Sequence, residues 1–109
     1  MTWRHDPHAD HQAGFAIART AVAGLDGVRL MAYPIWGWSL PADTLLDEVA
    51  PKGGRLAIGP YRTRKRNAIQ AHRSQTSALI DDDPTGFRLA PEVLARFDGS
   101  HEIFLECTP

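Results

Sequence analysis

The chain has 109 residues, enough for about one small domain, and a hydrophobic content of 43% that suits a packed globular core. A net charge of −1 gives no field to draw it onto nucleic acid or a membrane surface. The most apolar run, VRLMAYPIWGWSL, carries an arginine and a proline and is too short to span a bilayer, the N-terminus lacks an apolar signal core, and the single cysteine, Cys107, excludes an internal disulfide. Together these place the expected compartment in the cytoplasm.

Taken in chain order, the first predicted element is a helix. Asp6 reads as its N-cap and Pro7 as its first residue, and the helix runs through HADHQAGFAIARTAVAG to a stop near Gly24 or Gly27. His11, Phe15, Ala18, Val22 and Leu25 share one face by spacing, which predicts that this face points inward. VRLMAYPIW reads as a buried strand that ends near Pro34. SLPADTLLDEVAPKGG reads as a loop with a short helix, closed by a Gly-Gly turn. RLAIGP is a second strand, and RTRKRNAIQAHRSQTSALI a helix of about four turns. DDDPTGF is a turn-rich loop, APEVLARF a short helix with Pro91 near its start, and EIFLEC a last strand.

Strands separated by helices predict parallel pairing through crossover connections. Three strands are few for a parallel sheet that is buried on both faces. The pattern therefore reads as the later part of a larger α/β domain, with residues 1–109 as one unit of it.

Chemistry concentrates at the start of the chain. Between His5 and His11 stand three histidines and two aspartates in seven residues. His8 and His11, three apart in a first helical turn, occupy neighbouring positions, and His11 falls on the inward stripe. Asp10, between them, is suited to fixing a histidine tautomer. A neutral imidazole is a good zinc ligand, and zinc takes four tetrahedral partners. A polar helix start with solvated histidines is the competing reading, and His5 reads as a loop residue.

The segment TWRHDPHADHQA resembles the W-x-x-D-x-H-P-D-H segment of the PIG-L/LmbE-like zinc-dependent N-deacetylases. The likeness continues in order through YPIWGW, through KRNAIQAHRSQT, which is similar to that family's K-x-x-A-[IL]-x-A-H-x-S-Q-T segment, and through GFRL and EIFLE. It implies a partial Rossmann-like, LmbE-like three-layer α/β fold with a mostly parallel sheet. It also implies a hydrolase that removes acetyl groups from an N-acetylated amino sugar or related small amide. By the resemblance His11 matches the Zn2+ ligand. His8 matches the histidine that stabilises the oxyanion or handles the leaving-group proton, and Asp10 matches the carboxylate that orients His8. Ala9 stands where the family has proline.

The family's other two zinc ligands and its general base lie in an A-H-P-D-D-E segment, which these 109 residues do not contain. DDDP, Asp81 to Pro84, lacks the histidine and lies in a late loop. The resemblance thus implies half a site, with the isolated chain inactive or incomplete. A late start codon, a truncated product or a complementing N-terminal half would each explain it.

RTRKR, Arg62 to Arg66, carries four cations in five residues. A solvated helix start and an anion-binding patch both fit, and Lys65 matches the family's lysine. The reading from another functional class is a non-enzymatic remnant that binds a partner or polyanion through Arg62, Arg64, Lys65 and Arg66. His72 and Gln75, beside Ser74, read as hydrogen-bonding a neighbouring loop. Trp36 and Trp38 flank Gly37 after the first strand, where they could stack on a sugar or fill the core. His101 and Cys107 have no assigned partner, and a homo-oligomer remains open.

Overall fold

The computed structural model describes residues 1–46 and 51–107, which form two compact units. The first comprises Met1–Leu56 with the segment from Glu102 onward, and the second comprises Ala57–His101.

The first unit is one helix on a small sheet. Helix α1 spans Ala9–Val22 and packs on strand β1, Leu30–Ala32. The helix does not begin as the sequence predicts: His8, not Asp6, is the N-cap, with extended backbone and a ring nitrogen that accepts from the Asp10 N–H. Pro7 lies outside the helix because Asp6 is drawn elsewhere, as described below. The far end follows expectation, since Gly24 and Gly27 adopt φ of 83° and 74°, the left-handed region that ends a helix. The inward stripe is also observed, with Phe15 buried and His11, Ala18 and Val22 half-buried. Leu25 is exposed because the helix stops before reaching it. Leu30 and Ala32 of β1 are buried with Phe15, and Pro34 beyond the strand is buried too.

Strands β2, Gly53–Ala57, and β3, His101–Cys107, complete a three-stranded sheet in the order β1-β3-β2. β1 and β3 are antiparallel, with Leu30 opposite Cys107 and Ala32 opposite Leu105. The bonds from Glu106 N to Lys52 O and from Ile58 N to Ser100 O, each 2.8 Å, run in antiparallel register along β2 and β3. The mostly parallel sheet and its Rossmann-like layering are therefore corrected to a small antiparallel sheet. Alternation of strand and helix suggested crossovers, but direction depends on where the chain returns. Here the excursion between β2 and β3 leaves at Ile58 and comes back beside it at Ser100, so β3 must run against β2.

Other boundaries move for local reasons. The first strand spans only Leu30–Ala32 and stops short of Pro34, which lacks an N–H, and the chain turns into a 3-10 helix over Trp36–Ser39. Gly53 and Gly54 open β2 instead of forming a turn. A Cβ on Gly53 would collide with the Phe104 carbonyl oxygen, so the close approach of the two backbones requires glycine. The short helix expected within residues 39–54 falls partly on residues 47–50, outside those described.

The second unit is helical. A 3-10 turn, Gly59–Tyr61, leads into α2, Arg62–Ala71, and α3, Arg73–Thr76; α4, Pro91–Phe97, follows after a long loop. The single helix expected from residue 62 to 80 breaks at His72. After the break, the Thr76 and Ser77 hydroxyls donate back to the carbonyls of His72 and Arg73, at 3.0 and 2.7 Å, where α3 ends. Among the described residues no helix is long and apolar enough to cross a membrane.

Candidate functional site

The N-terminal cluster is organised around Asp6. Its side chain has no solvent exposure, which is unusual for a carboxylate and requires full hydrogen bonding. Oδ1 accepts from Gly37 N at 2.5 Å and Ile35 N at 3.1 Å, and Oδ2 accepts from Trp36 N at 3.1 Å. Oδ2 also lies 2.6 Å from His11 Nδ1. Three successive backbone N–H groups of the turn after β1 thus converge on one carboxylate. This is why Asp6 does not cap α1.

Gly37 lets the turn close. A Cβ there would stand 2.8 Å from two carbons of the Trp3 ring and 3.1 Å from Asp6 Oδ1. Trp3 in turn meets the His5 ring edge-on at 5.1 Å, and Arg4 Nε donates to His5 Nε2 at 2.8 Å, so His5 belongs to the loop surface. Trp36 and Trp38 are half-buried.

His11 is held but not enclosed, with 20% of its side chain exposed. His8, exposed at the N-cap, stacks on it with ring centroids 4.6 Å apart and planes 30° apart. The structure therefore brings together His8 and His11, as their spacing predicts. Asp10 contributes differently. Its backbone N–H donates to His8 Nδ1 at 3.2 Å while its side chain is exposed, and the carboxylate that reaches a ring is that of Asp6. Asp6 carried a signal in the sequence, an acidic residue inside the histidine cluster, but a helix-capping role masked it.

A ligating histidine usually donates its second ring nitrogen to a carboxylate, and Asp6 supplies that partner to His11. Among the described residues, no group of three or more His, Cys, Asp or Glu is placed to hold a metal ion.

The second unit carries the basic cluster. Arg62 and Arg66 both fork onto Asp98, with closest contacts of 3.0 and 2.9 Å. The Arg66 and Arg62 hydrogen bonds hold the Asp98 carboxyl below its ordinary value. Lys65 Nζ lies 5.8 Å from the centre of the Phe97 ring. An intramolecular carboxylate already occupies two of the four cations, which leaves less charge for a polyanion. Leu89 N donates to Gln75 O at 2.9 Å, tying the loop before α4 to α3 through backbone, not through the His72 ring. A cavity of about 510 Å³ in this unit is lined by Ile69, Leu94 and Phe97 together with Arg66, Gln70 and Asp98, and includes none of the clustered histidines. Cys107 is half-buried, and burial pushes its thiol pKa up.

Compared with protein-family models, with curated proteins and with solved structures, the chain matches none.

Proposed function

We propose that this chain carries the histidine side of a zinc-dependent N-deacetylase site of the PIG-L/LmbE type, acting on an N-acetylated amino sugar or related small amide. The observation that carries the reading is the pairing of His8 with His11, one ring stacked on the other at 4.6 Å and the inner ring tied to a buried carboxylate. In this reading His11 holds the metal and His8 meets the substrate. A bound zinc ion supplies a Lewis acid that polarises the amide carbonyl and acidifies water. His8 accepts from Asp10 N through Nδ1, so its neutral ring carries the proton on Nε2. That N–H is a donor for the charge that builds on the carbonyl oxygen. Asp10 positions His8 through its backbone N–H. In this reading two further ligands and the general base come from a segment outside these 109 residues, and the isolated chain is inactive or incomplete.

The test starts from the coding DNA on the 5′ side of Met1. An in-frame A-H-P-D-D-E segment supports the proposal. Protein expressed from that longer frame then binds one zinc ion and releases acetate from N-acetylglucosamine derivatives. His11→Ala lowers zinc content and abolishes release, while His8→Ala keeps zinc and lowers kcat by about 100-fold or more. Zinc content unchanged by His11→Ala would sink the assignment.

A further inference from the structure

We infer that Asp6 is a positioning residue that locks His11 in a single tautomer, with Nδ1 protonated and Nε2 left as the donor atom, and that it does so through the Ile35–Gly37 turn. The inference rests on the proposed role of His11 as a metal ligand, but its physical core concerns the ring itself.

A neutral imidazole has one N–H and one lone pair, and whichever group meets the first nitrogen decides what the second presents. Asp6 Oδ2 meets Nδ1 at 2.6 Å. The other three partners of that carboxylate are backbone N–H groups, of Ile35, Trp36 and Gly37, which only donate. Three fixed donors make the carboxylate an acceptor throughout, so the proton of the fourth contact sits on Nδ1. The lone pair is then on Nε2, the nitrogen on the opposite side of a ring that is one-fifth exposed. The neighbouring ring is set the other way, since His8 Nδ1 accepts from Asp10 N. The stacked pair thus presents one lone pair and one N–H, the two complementary groups that a metal ligand and an oxyanion donor require.

The backbone that carries the carboxylate is held as well. Asp6 N donates to Trp3 O at 3.1 Å, and Asp6 O accepts from His8 N at 2.7 Å and from Gln12 Nε2 at 3.0 Å. The turn that supplies the three donors closes only because Gly37 has no Cβ to strike Trp3. The geometry of His11 therefore depends on a residue twenty-six positions away that does not touch it.

The test is the ring-nitrogen NMR spectrum of the full chain in mildly alkaline buffer without metal, which needs no variant. His11 is expected to show a protonated Nδ1 and a pyridine-like Nε2, with His8 the reverse; a His11 spectrum averaged over both tautomers, as a free imidazole gives, overturns the proposal. In Asp6→Asn an amide NH2 at the Oδ2 position faces the Trp36 N–H as well as His11 Nδ1, so the fixed Nδ1-protonated tautomer is expected to be lost. In Gly37→Ala, with sheet resonances intact, the single tautomer gives way to a mixture; an unchanged His11 spectrum in that folded variant would break the link to the turn. Zinc chloride added to the wild type addresses the functional reading separately. A shift at His11 Nε2 that weakens about 10- to 100-fold in Asp6→Asn supports both readings. A fixed tautomer with no zinc response keeps the positioning role and shows that His11 alone does not hold the metal.

Discussion

Asp98 shows how one exposed carboxylate can organise a helical end. It takes two arginine forks from α2, and these hydrogen bonds lower its pKa from the ordinary 3.8. A depressed folded value means that the unfolded chain binds the proton first. The contribution is therefore fully present above the ordinary value and is lost as pH falls through the folded one. Because the three side chains are between about a third and half exposed, salt screens the pairing. Carboxyl-carbon NMR of Asp98 in Arg66→Gln is expected to show a titration midpoint higher than in the wild type, with the difference shrinking in high salt. An unchanged midpoint would show that the forks are not maintained in solution. Asp83 is lowered by a more local device, the hydroxyl and N–H of Thr85 at 2.7 and 2.8 Å.

At the scale of elements, β2 offers a paired test. Gly53 and Gly54 are neighbours in one strand, yet only Gly53 lies against the β3 backbone, where a Cβ would meet the Phe104 carbonyl and stand 3.0 Å from Leu105 Cα. Gly54 has nothing within 4 Å of the same atom. Gly53→Ala is expected to cost about 1–3 kcal/mol, since backbone must shift, and Gly54→Ala to be neutral or stabilising by up to about 1 kcal/mol through the unfolded chain. Urea midpoints of the two variants compare them directly, and equal midpoints would contradict the pairing of β2 with β3. This contrast also explains what the sequence could and could not reveal. The inward stripe of α1, the glycine stop after it, the start of α4 at Pro91 and the span of β3 follow from local rules and were legible. Strand direction was not, because it depends on the chain returning at Ser100 beside Ile58. The role of Asp6 was hidden for the same reason: its three backbone donors lie about thirty residues away, in a turn whose shape depends on Trp3. That His8 and His11 are neighbours was readable from their spacing, whereas their stacking and the carboxylate that holds the inner ring were not.

At the scale of the whole molecule, each unit has little apolar packing of its own. Phe15, Leu30 and Ala32 form the buried core of the first, and Ile58 is the buried apolar residue among those described in the second. Large apolar side chains stay exposed in both, including Ile17, Leu25 and Leu56 in the first and Leu79, Ile80 and Phe87 in the second. The two edges of the sheet differ as well. Outside β1, the edge is covered by the N-terminus, with Met1 N donating to Met31 O and Tyr33 N donating to Met1 O, both at 2.9 Å. Outside β2 no strand pairs among the described residues, and all five of its residues are exposed. An open edge bearing an apolar side chain is a template for another strand. Sedimentation velocity over a range of protein concentrations is therefore expected to show reversible self-association of the 109-residue chain. Leu56→Lys, which places charge on that edge without touching the core, is expected to reduce the association while leaving the far-UV spectrum unchanged. A chain that stays monomeric at high concentration would mean that the β2 edge is no template, and that the packing within each unit is sufficient as it stands.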